Sequence, residues 1–249
     1  MKFNLDYIQR AFPRILTYLP VTLAIAFSAE LLALLVGFGI AVLKRRKIPV
    51  VNQIIAVFAS YCRAVPTLVQ LFVAIFLFPK IVTLIYPTDE FGTLIPGVVY
   101  AVITLGMNHG SFISEIFGAA FGAIDNGQTE AAYSIGMTKL QTLKRIVLPQ
   151  ALVVALPNLT SLFLGLVQET SLVSIVGVRE ITSVGINLAD LGYDFLETYL
   201  ILTLIYEACS FVFGRLFRYL ERRAGVFKYS ANASGRRLYR IPVKEDVLQ

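Results

Sequence analysis

Long apolar runs separated by short polar stretches dominate this chain, and their lengths predict helices that cross a lipid bilayer. From Leu19 to Leu43 the run is broken only by Glu30 and a few small polar residues, enough helix for about 30 Å of hydrocarbon. A second run, Val50 to Phe78, contains Arg63 and Pro66. Proline removes a backbone donor and crowds the preceding turn, so a kink or break is expected between Cys62 and Pro66. The third run covers Leu94 to Phe117 and holds His109 and Glu115. The fourth, Leu152 to Val173, carries Pro157 and ends near Gln168-Glu169-Thr170-Ser171, and the fifth covers Leu196 to Leu216. Ahead of them, Leu5, Ile8, Phe12 and Ile15 share one helical face while Lys2, Asp6 and Arg10 lie off it, the pattern of a helix at a membrane surface. Tyr86-Pro87-Thr88-Asp89 marks an outer loop, and the mixed stretch Gly177 to Asp194 is expected to cap the outer side.

The fold predicted is an all-α integral membrane protein of about five spanning helices. It divides into an interfacial helix over 1–18, a spanning domain over 19–220 and a basic tail over 221–249, with disorder expected only from about Ser230. Composition agrees: 15% of residues are charged, against about 25% in soluble domains, and mean hydropathy is +0.72. A net charge of +6 does not indicate nucleic acid here, because the basic residues sit beside apolar runs as membrane loops do. They gather at 44–47, at 139–145 and from Arg215 onward, while Lys2, Arg10, Arg14, Lys80 and Arg179 lie on the other side. That bias places the N-terminus outside and the C-terminus inside. With no short apolar stretch before an A-x-A-like site, the first span is expected to serve as an uncleaved membrane signal. Cys62 and Cys209 have no CxxC spacing, so neither a disulfide framework nor a metal set is implied.

One polar insert stands out between the third and fourth runs: Glu130-Ala131-Ala132, Gly136 after a gap of three, then Ile146-x-Leu148-Pro149. Gly136 allows a tight turn between two short helices, Ala131 and Ala132 allow close backbone packing on a partner, and Pro149 suits the first turn of the next helix. This pattern resembles the cytoplasmic EAA loop of ABC-importer permeases, in the polar amino-acid branch. The resemblance extends from Arg63 to Glu180. Arg63-Ala64-Val65-Pro66-Thr67-Leu68-Val69-Gln70 is similar to that branch's R-G-T-P-L-x-x-Q, Gly127 to Ala132 to its G-Q-x-E-A-A, Leu148-Pro149-Gln150-Ala151 to its L-P-Q-A, and Thr170-Ser171-Leu172 to the end of its K-x-T-S-L. The resemblance implies a multi-pass subunit of a bacterial cytoplasmic membrane, with the loop 126–150 docking a cytoplasmic ATPase dimer through Glu130, Ala131, Ala132, Gly136, Met137, Leu140, Leu148 and Pro149. It also implies an extracytoplasmic amino-acid-binding protein and a second permease subunit, either a copy or a paralogue. ATP and Mg would be bound by the ATPase partner, because this chain has no cofactor motif and no GxxxxGK[ST] phosphate loop.

Charged residues within spans cost at least about 2.5 kcal/mol each and therefore face a pore or a partner. Arg63, Gln70, Asn108, Glu115, Ser161, Leu162, Glu169 and Thr170 form the candidate passage. Arg63 and Gln70 are seven apart and share a face if the helix between them is continuous; Asn108 and Glu115, and Leu162 and Glu169, do the same. A zwitterionic amino acid needs a cationic or amide partner and an acidic one, which Arg63, Glu115 and Glu169 could supply. Two bland alternatives stay open: Arg63 satisfying carbonyls freed by Pro66, and Glu115 reaching interfacial water. Glu30 and Glu207 read as helix–helix contacts, within the chain or across a subunit interface, and His109 as a packing or hydrogen-bonding residue. In the family resembled, arginine carriers tend to hold an acid where Leu162 stands, which favours cystine or a neutral polar solute. Asn108 to Glu115 departs from the family's G-A-Y-x-A-E, Gly118-Ala119 replaces its R-G, and Gln168 replaces its lysine.

The function implied is the membrane subunit of an ATP-driven importer, with an ATP-independent secondary transporter or channel as the alternative. A secondary transporter suits broken helices but not five spans without an internal repeat. An intramembrane enzyme would need HExxH, GxSxG or twin aspartates, none of which occurs.

Overall fold

The small residues Ala29, Ala33, Gly37 and Ala41 recur every fourth position and line one face of a 26-residue helix, α2 (Leu19–Lys44). A computed structural model, describing residues 3–46, 48–85 and 96–225, seats that face against α5 (Gly97–Gly122). A Cβ on Gly37 would lie 2.5 Å from Ile113 Cγ2, and one on Gly106 would lie 2.8 Å from Leu32. The two backbones therefore approach closely along this seam, which is how small residues promote packing without a hydrophobic drive. Contacts advance together from Ile25 and Ala101 to Ala41 and Phe121, so the two helices run parallel.

Around this pair stand α3 (Pro49–Ala64), α4 (Thr67–Ile85), α8 (Leu148–Glu169) and α10 (Phe195–Ala224). Among the described residues every element is helical, and four stretches are long and apolar enough to cross a membrane: Leu19–Lys44, Thr67–Ile85, Lys139–Ser174 and Phe195–Ala224. The expected second span is two helices, because Pro66 offers no N–H to the Cys62 carbonyl and the chain turns extended at Val65. Only α4 has span length. In the expected third span, α5 is long enough but carries buried Thr104, Asn108, His109, Ser111 and Ser114, and α2, α3, α4 and α8 pack around it. Outward faces are apolar, with Leu31, Leu35, Val57, Phe76, Leu84 and Leu204 exposed.

One end of the bundle gathers α1 (Leu5–Leu16) and α9 (Ile181–Gly192) beside the start of α10. Tyr7, Ala11 and Ile15 of α1 are buried there, while Leu5 and Phe12 stay exposed. Asn4 N–H donates to Glu197 Oε1 at 2.8 Å, its Nδ2 donates to Asp194 at 3.1 Å, and the Tyr7 and Thr198 hydroxyls bond. The other end gathers the close of α2, where Arg45 lies 5.0 Å over the Phe121 ring, with the segment leading into α8. The stretch 86–89, expected to form an outer loop, and the tail beyond Gly225 lie outside the described residues.

Candidate functional site

The polar insert folds as two short helices. α6 (Asn126–Ser134) starts at Asp125, whose carboxylate accepts from Gly127 N–H at 2.7 Å. It ends at Gly136, φ +82°, where Gly136 N–H reaches Tyr133 O at 2.9 Å and Met137 N–H reaches Ala132 O at 3.1 Å. Those two bonds define a Schellman cap, whose left-handed residue favours glycine. α7 (Lys139–Thr142) opens on a reciprocal Thr138–Gln141 capping box and passes through a π-turn, Leu143–Val147, into α8. Ala132 is buried; Glu130, Ala131, Tyr133, Gly136 and Pro149 are exposed, as are Ile135 at 78% and Leu140 at 59%. Met137 and Leu148 are half-buried. Gln150 Nε2 donates to Gln128 Oε1 and to Ile146 O, tying α6 to the first turn of α8.

The buried polar groups of the bundle form two sets. At the break after α3, Gln70 Nε2 donates to Cys62 O at 3.1 Å and Val65 O at 2.8 Å. Asn108 Nδ2 donates to the same Cys62 O at 3.1 Å and to Gln70 Oε1 at 3.2 Å. Gln70 and Asn108 are both buried, so these amides, not Arg63, satisfy the carbonyls that Pro66 frees. Arg63 and Gln70 do not share a continuous helix. Arg63 Nη1 pairs with Glu115, both side chains being almost half exposed, and its Nε donates to Ala59 O.

In the second set His109 Nε2 lies 3.1 Å from Glu169 Oε2, linking α5 to the end of α8. Glu30 is buried in α2, its Oε2 without a hydrogen-bond partner among the described residues. Ser161 is exposed and turned back on Pro157 O, Leu162 is half-buried, and Thr170 is fully buried with its hydroxyl on Val167 O. Glu207 is exposed on α10. Among the described residues, no group of His, Cys, Asp and Glu could hold a metal ion.

Residues 33–226 of the chain, which hold both the two short helices and the polar bundle interior, match a family model, that of the binding-protein-dependent transport system inner membrane component. The chain belongs to this family. The permease is 36% identical to the "Probable amino-acid permease protein YxeN" of Bacillus subtilis (strain 168), over 87% of this chain and 94% of that protein. It is also 36% identical to the same organism's "L-cystine transport system permease protein TcyL", over 89% and 91% of the two chains. Its fold superposes on the crystal structure of an amino acid ABC transporter with histidines at a TM-score of 0.76, with 27% identity, covering 90% of the permease and 100% of that chain.

One buried acid of the permease escaped sequence reasoning. Glu180 is fully buried and caps α9: Oε1 accepts from Thr182 and Ser183 N–H, and Oε2 from the Thr22 and Tyr206 hydroxyls. Burial raises its carboxyl pKa, and those bonds pull it back only in part. The sequence signal was Glu180 followed by Thr182-Ser183, a helix start. Thr160 Oγ1 to Glu221 Oε1, 2.9 Å, is a second unforeseen tie, joining α8 to α10.

Proposed function

We propose that this permease is the membrane subunit of an ATP-driven importer of polar or cystine-like amino acids, and that the segment 126–150 docks a cytoplasmic ATPase dimer. The observation carrying this reading is the exposed apolar pair Ile135 and Leu140 on two short helices around Gly136, anchored to α8 through Gln128 and Gln150. Exposed apolar side chains on a basic, water-facing segment suit a protein partner. The chain carries no nucleotide motif, so ATP and Mg belong to that partner. A binding protein would deliver solute at the α1–α9 end, and a second permease subunit, copy or paralogue, would complete the passage.

The passage we assign to Arg63, Glu115, Ser161, Leu162 and Glu169. Opposite charges left half exposed within a bundle would be costly against lipid, which favours a water-filled passage on that face. The Arg63–Glu115 pair, partly solvated, holds itself with no more than about 1 kcal/mol. An α-carboxylate and an α-ammonium can therefore compete for its two halves. Gln70, Asn108 and Thr170, all buried, support that wall from behind. The one extended break within a predicted span among the described residues, at Pro66, is stapled by Gln70 and Asn108 within one chain, which suits a wall between subunits better than the paired gates of a secondary transporter.

The test is co-purification of a cytoplasmic ATPase from cells expressing the neighbouring genes, then ATPase assays in nanodiscs against an amino-acid panel with the binding protein. Glu130→Lys and Gly136→Val are expected to insert normally yet lose solute-stimulated ATPase at least tenfold. Wild-type stimulation in both variants would refute the docking reading.

A further inference from the structure

Glu169 is the last residue of a 22-residue helix, where the negative end of the helix dipole disfavours a carboxylate. Yet its side chain is only 36% exposed and turned toward α5, where His109 Nε2 meets its Oε2 at 3.1 Å. The other oxygen, Oε1, has no partner among the described residues. His109 itself is buried, its side chain 3% exposed, and its Nδ1 is unpartnered among the described residues. An apolar side chain would fill that site without leaving a buried nitrogen unsatisfied. The imidazole's one visible gain is the bond to Glu169. With no acceptor at Nδ1 among the described residues, the tautomer protonated on Nε2 is the one that donates to Glu169 Oε2.

We infer that His109 is a positioning residue for solute binding. It holds Glu169 by Oε2 so that Oε1 faces the passage and receives an N–H of the solute's ammonium group. This rests on the assignment of Glu169 to the passage. The substrate class it specifies is an amino acid whose free ammonium is bound by one oxygen of a pre-oriented carboxylate. A solute lacking that ammonium gains nothing from His109.

A double-mutant cycle tests it. His109→Leu, His109→Gln, Glu169→Gln and the pair His109→Leu with Glu169→Gln are assembled with the ATPase and binding protein in nanodiscs. Solute-stimulated ATPase is titrated with L-cystine, L-glutamine and L-arginine. A hydrogen bond to a charged group implies that His109→Leu raises the half-maximal concentration about tenfold or more, with a much smaller change in maximal rate. His109→Gln, whose amide can donate to the same oxygen, recovers most of the loss, and the double variant is no weaker than Glu169→Gln alone. Additive losses, or a glutamine variant as weak as the leucine one, would make His109 merely structural and overturn the inference. If Glu169→Gln leaves the titration unchanged, the passage assignment fails first. Should His109→Leu not assemble, or no probe stimulate, the infrared carboxylate-stretch band of Glu169, identified by its loss in Glu169→Gln, is read in the His109→Gln and His109→Asn variants. Asparagine, too short to reach, shifts the band and glutamine does not; identical bands in both sink the proposal.

Discussion

Single residues in this protein satisfy groups that the chain's own geometry leaves open. The Cys62 carbonyl loses its helical donor to Pro66, and Asn108 and Gln70 supply two replacements from within the bundle. Asn108→Leu removes one of them together with the donor to Gln70 Oε1, and is expected to cost about 1–3 kcal/mol, read as a lowered thermal midpoint in detergent. Glu180 makes a different prediction. Its folded pKa is raised above the ordinary 4.5 by burial, so the folded state binds that proton more tightly than the unfolded chain does. Its contribution is complete below the ordinary carboxylate value and is lost as pH rises through the raised one. Thermal midpoints measured across mildly acidic to neutral pH should therefore fall with a steeper slope in wild type than in Glu180→Gln. Equal slopes would mean that the four donors around the carboxylate outweigh its burial.

At the scale of elements, the seam between α2 and α5 leaves no room for an added methyl group. Gly37→Ala would press its Cβ on Ile113 and on the Gly110 carbonyl, 2.8 Å away. The helices would have to part, and the expected loss is about 1–3 kcal/mol, visible as a lower midpoint, while Gly39→Ala, with open space around it, should be neutral or slightly stabilising. Much of this level was legible in the sequence. Apolar run lengths located α2, α8 and α10, Pro66 located the break, and Gly136 located the turn between α6 and α7. The break's depth was harder to foresee, since a proline marks where a helix yields and not how far the next one turns away. Pairings were illegible for a plainer reason. His109 and Glu169 are 60 residues apart, Thr160 and Glu221 61, and Thr22 and Glu180 158. Periodicity along one chain reports which face a residue occupies, but not which distant residue meets it.

The whole molecule is polarised. Arg45, the α6–α7 segment and the start of α8 lie at one end, and α1, α9 and Glu180 at the other. The orientation proposed from the basic residues, N-terminus out and C-terminus in, can be read directly because both native thiols, Cys62 and Cys209, are buried. In intact cells a membrane-impermeant maleimide should label Leu191→Cys, 85% exposed in wild type, and leave Ile135→Cys unlabelled until the membrane is opened. The reverse pattern would invert the topology. One helix, α8, touches both ends: Gln150 at its foot is tied to α6, and Glu169 stands at its head. Twenty-two residues make a beam of about 33 Å, so a tilt of about 5° at the foot carries the head roughly 3 Å. Pro157 sits inside that beam, and the Thr160 and Ser161 hydroxyls brace the turn around it by donating to Leu156 and Pro157 carbonyls. A stiff beam delivers such a movement in full and a bent one absorbs it, so the rigidity of that single turn sets how much of any push at one surface arrives at the other.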